Sequence, residues 1–181
     1  MYRYLMILTI CSAVGLQSWL TLFNNFAVEV AGLEGIHIGV IQSVREIPGF
    51  LALLAIFVML LVKEHRLSAL STLVLGVGLA ATGLFPSFIG LLITTLIMSF
   101  GFHYYETTNQ SLTLQYFDEN TSPWVLGKLR SMAAVSNIGI GVFIYLMAAL
   151  LNYTQIYLLV GGLIVATSVW ALTKDPTDRD I

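Results

Sequence analysis

The chain has 181 residues, of which 57% are hydrophobic and 10% charged, with a formal net charge of −2. A water-soluble domain carries about 25% charged residues. This composition, with a mean hydropathy of +0.87, excludes a soluble globule and implies a polytopic protein embedded in the lipid bilayer. The near-neutral charge offers no footprint for nucleic acid, and the single cysteine, Cys11, has no partner for an internal disulfide.

Charges and turn residues divide the chain into six apolar blocks, at 4–28, 37–62, 67–85, 88–117, 127–151 and 155–173, followed by a polar tail at 174–181. The first follows Met1-Tyr2-Arg3. Its apolar run exceeds the 7–15-residue core of a cleaved signal and lacks a small-x-small cleavage site, so it is expected to be retained as a span. The second contains Pro48-Gly49, where a bend is expected. The third stops at Pro86-Ser87. The fourth is apolar to Thr108 and more polar to Phe117. Pro123 opens the approach to the fifth, and Asn152-Tyr153-Thr154 is the turn before the sixth. Each block suffices for a helix across ~30 Å of hydrocarbon. Strands are excluded because the blocks lack period-2 alternation and lipid does not tolerate an open sheet edge. The expected fold class is all-α, one bundle of six transmembrane helices.

Lysine and arginine mark cytoplasmic loops. Arg3, Lys63, Arg66, Lys128, Arg130, Lys174 and Arg179 all fall on one side of a six-span chain, and the opposite loops hold none. Both termini are therefore expected in the cytoplasm, in a multi-pass protein of the cell membrane. Arg45 alone among the basic residues lies elsewhere.

Ionisable and amide side chains are costly in hydrocarbon, so they turn toward the bundle interior or a wet cavity. Here they form stripes at helical spacing. Span one carries Gln17, Thr21 and Asn24, with Asn25 alongside. Span two carries Gln42, Glu46 and Gly49 with Arg45 beside them. Span four carries Ser99, His103, Glu106 and Gln110, with Asn109 nearby, and span five Arg130, Ala134, Asn137 and Gly141. Spans three and six hold only apolar and small residues through their centres, and are expected to face lipid. Gly76, Ala80, Gly139 and Gly141 allow close helix approach.

Six spans with cytoplasmic ends, polar stripes on one, two, four and five, and plain third and sixth spans resemble one half of a major facilitator superfamily transporter. The loop Lys63-Glu64-His65-Arg66-Leu67-Ser68 sits where that family has a charged signature between helices two and three. GVIQSVREIPGF from Gly39 can be laid against GKLRSMAAVSNI from Gly127 as equivalent helices of an internal repeat. The drug–proton antiporter signatures are missing. Ile97 stands where their helix-four arginine would fall, before Gly101, and no glycine-proline pair occurs between Asn137 and Met147. The resemblance implies two inverted three-helix repeats, helices one and four lining a cavity, two and five flanking a seam, and three and six outside. It implies a secondary active transporter that moves a small-molecule solute by alternating access, with no cofactor, resident metal or catalytic residue. It also implies a second six-helix half, from the same longer chain or from a second copy, with the tail as the start of the linker.

Several residues are candidates for binding or coupling. Glu106 with His103 is expected to take up and release a proton or cation; alternatively Glu106 pairs with Arg130 on the neighbouring antiparallel span, as a structural ion pair. Arg45 is expected to meet a substrate charge or gate the outer side; alternatively it pairs with Glu46 or bonds to Asn24 and Asn25. Gln17, Asn24, Asn109 and Asn137 are cavity-lining candidates. Trp19, Phe102, Tyr104 and Tyr105 serve as packing or stacking aromatics, and Trp124 and Tyr153 as interfacial anchors. Two other readings remain: a non-transporting assembly subunit whose polar stripes join helices, and a membrane-embedded metalloenzyme using the i, i+3 pair His103 and Glu106.

Overall fold

A computed structural model describes residues 1–177; Arg179 and the end of the tail lie outside the described residues. The described residues are all-helical. Helix α1 is Tyr2–Glu29. The second rod is broken into α2 (Gly35–Arg45), α3 (Ile47–Phe50), a 3-10 turn (Leu51–Leu54) and α4 (Ala55–Met59). Helices α5 (Glu64–Thr82), α6 (Phe88–Tyr116), α7 (Ser122–Met147) and α8 (Tyr153–Leu172) complete six rods.

Local chemistry sets the ends of these rods. Ser87 caps α6 by accepting from the Gly90 amide at 3.1 Å. Asn152 and Gln155 form a reciprocal capping box at α8. Helix α7 begins at Ser122, earlier than the sequence block suggests, because a proline in the first turn has no amide that the helix needs. The expected bend in the second rod appears as the break after Arg45. Pro48 cannot donate to the Val44 carbonyl, and its ring clashes with the preceding turn.

Five of the rods are long and apolar enough to cross a membrane: α1, the second rod from Gly35 to Met59, α6, α7 and α8. Helix α5 is not among them, since its first turn is Glu64-His65-Arg66. Large apolar side chains cover much of the outer surface, among them Leu53, Phe57, Ile138, Val142 and Leu163. An apolar exterior of this extent is consistent with a multi-pass membrane protein.

Helix α5 packs along both α6 and α8; α1 packs on α7, α8 and α5; and the second rod lies against α6. The third span is therefore more enclosed than expected. It shows only a narrow stripe through Arg66, Leu70 and Val77, and buries Ser68, Ser71, Thr72, Gly76 and Gly78. Its lack of ionisable groups reflects close helix contact rather than lipid exposure alone. Gly78 lies against the backbone of Met98, and Gly101 against that of Leu75 and Ser71, with no space for a Cβ. Gly161 meets Ala80 the same way. Backbones this close gain dispersion contacts where lipid supplies no hydrophobic drive between helices. Helix α8 does present a broad outer face, with Leu158, Leu159, Leu163 and Trp170 exposed.

Candidate functional site

Helices α1, α6 and α7 diverge around a cleft of about 250 Å³. Helix α1 supplies Ser12 and Gln17, α6 supplies Glu106, Asn109 and Gln110, and α7 supplies Arg130 and Asn137. Glu106 and Arg130 are the one carboxylate and the one cation of this lining. Both side chains are exposed within the described residues. The expected ion pair between them is not formed: no nitrogen–oxygen approach within 4.0 Å occurs, and neither residue pairs with any other charge among the described residues. Each projects from a different wall of the cleft, Glu106 from α6 and Arg130 from α7.

The floor of the cleft is more tightly organised. The Thr9 and Tyr105 hydroxyls bond at 2.7 Å, joining α1 to α6. The Asn137 amide, oriented so that its nitrogen faces carbonyl oxygens, donates to Ala13 on α1 and to Ala133 on its own helix, at 3.2 and 3.3 Å. Gln17 bonds weakly to Thr21, at 3.3 Å. Ser12 Oγ and Asn109 Oδ1 are buried with no partner, although buried polar groups are nearly always satisfied.

Arg45, Glu46 and His103 belong elsewhere. They line a second, smaller pocket of about 180 Å³ with Met98 and Ser99. Leu16, Leu20 and Phe102 border both cavities, and form the apolar divide between them. Arg45 lies over the Trp19 ring at 5.1 Å, a contact worth on the order of 1 kcal/mol. Its Nε and Nη2 donate to Glu46 Oε1 at 3.0 and 2.6 Å. The local pair with Glu46 is thus the arrangement adopted, and no bond to Asn24 or Asn25 forms among the described residues. Asn24 instead accepts from Gln42 at 3.4 Å, outside both cavities.

This second pocket also repairs the broken rod. Where the helix stops, the Arg45 carbonyl has no partner four residues on, and the Ser99 hydroxyl donates to it at 2.5 Å. Tyr104 donates to the Leu51 carbonyl at 3.3 Å. Gly49 lies against the His103 ring, where a Cβ would come within 3.1 Å of Cε1. Ser99, His103 and Tyr104 therefore dock the bend onto α6, the usual way a broken membrane helix recovers its backbone bonds.

His103 and Glu106, expected to act together, face different cavities. Three residues rotate a helix by about 300°, leaving a gap of about 60° between the two side chains, and the apolar divide falls inside it. No group of three or more His, Cys, Asp or Glu side chains converges among the described residues. Sequence reading missed Thr9 and Ser12, and gave Tyr105 as a packing or stacking aromatic rather than as the partner of Thr9. Thr9 and Ser12 precede Leu16 by seven and four residues, which puts them on one helix face, but hydroxyls are too common in apolar helices to stand out. No protein-family model matches the chain, and a comparison with curated proteins found no match.

Proposed function

We propose that this chain is a six-helix half of a secondary transporter of the major facilitator type, and that it moves a small solute through the cleft between α1, α6 and α7. The observation that carries this reading is the cleft itself. One carboxylate, one guanidinium and several amides gather on three otherwise apolar helices. Glu106 and Arg130 lie about 12–15 Å from the helix ends at 1.5 Å per residue, a depth at which charges require water or a counter-charge. The packing pattern supports the same reading. Exchanging α1 with α6, the second rod with α7, and α5 with α8 carries α1–α7 onto α6–second rod, α1–α8 onto α6–α5, and α5–α8 onto itself, whereas α1–α5 and α6–α7 have no counterpart of this kind. The pairs that do correspond are those that two inverted three-helix repeats would share.

In this reading both termini are cytoplasmic. Lys128 lies over Trp124 and Lys174 over Trp170, each at 5.6 Å, as interfacial tryptophans with basic neighbours do. A second six-helix bundle, from a longer chain or a second copy, closes the open side of the cleft, and the two rock about it. Glu106 receives a cation or proton, and Arg45, clamped by Glu46 and Trp19, stiffens the bend in the second rod.

Cysteine accessibility tests this without knowledge of the solute. In a Cys11→Ser background, Gln17→Cys and Asn137→Cys should react with a membrane-impermeant maleimide applied from either side of the membrane, in right-side-out and inverted vesicles. Labelling from one side only, or from neither, is the behaviour of a static assembly subunit and rejects alternating access.

A further inference from the structure

The charge arrangement of the cleft points to its cargo. We infer that the solute is a small zwitterion, its cationic group held by Glu106 and its anionic group by Arg130; this rests on reading the cleft as the transport site. Two opposite charges share one cavity of about 250 Å³ without touching. A solute of a single sign would satisfy one and leave the other without a counter-charge when the second bundle closes over the cleft, which is strongly unfavourable. A neutral polar solute would satisfy neither. A molecule with separated opposite charges neutralises both and adds no net charge to a net-neutral cleft.

The remaining polar groups fit the same cargo. Gln17 and Gln110, which line the cleft and are not buried, offer amide donors and acceptors between the charged walls. The cleft, about 250 Å³ on this half and open on one side, has room for an amino acid or a short betaine.

The test uses the purified full-length protein in detergent, with melting temperature as the readout of binding. The probes are glycine, L-alanine, L-proline, β-alanine and glycine betaine, set against acetate and L-lactate as anions and ethylamine as a cation. At least one zwitterion should raise the melting temperature, and neither the anions nor the cation should. Glu106→Gln and Arg130→Gln should each weaken that binding by about tenfold or more, one tenfold step being 1.4 kcal/mol. Glu106→Asp and Arg130→Lys should recover part of it, which separates lost charge from lost folding. Binding of an anion alone, indifferent to Glu106→Gln, overturns the inference, as does a panel in which no zwitterion binds. Two-sided maleimide labelling that persists after such a result leaves the carrier reading standing and removes only the cargo.

Discussion

The two sides of this bundle are built on opposite plans. On one side, α5, α6 and α8 approach until backbone meets backbone at Gly78, Gly101 and Gly161, and α5 is buried on all but a narrow stripe. On the other, α7 buries no residue between Arg130 and Gly139, and a Cβ added at Gly127, Gly139 or Gly141 would meet nothing within 4 Å. Close packing appears where the residues are small and uncharged, and openness where charges and amides collect. Close packing and access are thus assigned to different helices.

The sharpest way to break this contrast is to place the same methyl group on both sides. Gly101→Ala forces α6 away from α5 and should cost about 2–3 kcal/mol, the upper range for overpacking, or abolish folded protein. Gly139→Ala has open space around it and should be neutral or stabilising by about 0.4–1 kcal/mol. Thermal melting in detergent compares them. Equal losses would mean that the α7 face is covered, and the contrast would fail.

Smaller effects sharpen the difference between hydroxyls that repair backbone and those left free. Ser99→Ala strips the donor from the Arg45 carbonyl and should cost about 1–2 kcal/mol. Ser12→Ala removes a hydroxyl with no partner in the protein and should change stability by less than about 0.5 kcal/mol. If Ser12→Ala proves as costly by melting, the cleft floor is more ordered than its bonds indicate.

The smallest effect lies at the turn into α7. Hydrogen bonds from Thr121, both side chain and amide, and from the Asn120 amide hold the Asp118 carboxyl below its ordinary range. A lowered folded value means that this stabilisation is complete above the ordinary carboxylate range and disappears as pH falls through the folded value. Hydrogen exchange at the Thr121 and Ser122 amides should therefore accelerate on acidification below about pH 4, and Asp118→Asn should flatten that dependence. An unchanged acid profile in the variant would remove Asp118 as its source.

Much of this was legible from residue order. Apolar block lengths located the rods to within a few residues, Pro48-Gly49 located the break, and helical spacing put Gln17, Glu106, Asn109 and Asn137 on faces that do line one cleft. Other features were hidden. The plain composition of α5 reads equally as a lipid-facing or a tightly packed helix, because small residues suit both until a neighbour is identified. The pairing of Glu106 with Arg130 looked natural from antiparallel neighbours at similar depth, yet a few ångströms of helix divergence suffices to undo a contact that needs 4 Å.

Residue order alone dictated which segments become helices and which of their faces are polar, since backbone satisfaction in an apolar medium leaves no alternative to a helix and periodicity fixes each face. Only the tertiary arrangement decided that His103 docks the bend while Glu106 lines the cleft, that Arg45 rests on Trp19, and that Arg130 forms no ion pair among the described residues. Those outcomes depend on side chains from other helices, Leu16 and Leu20 foremost, whose positions no spacing within one helix can specify.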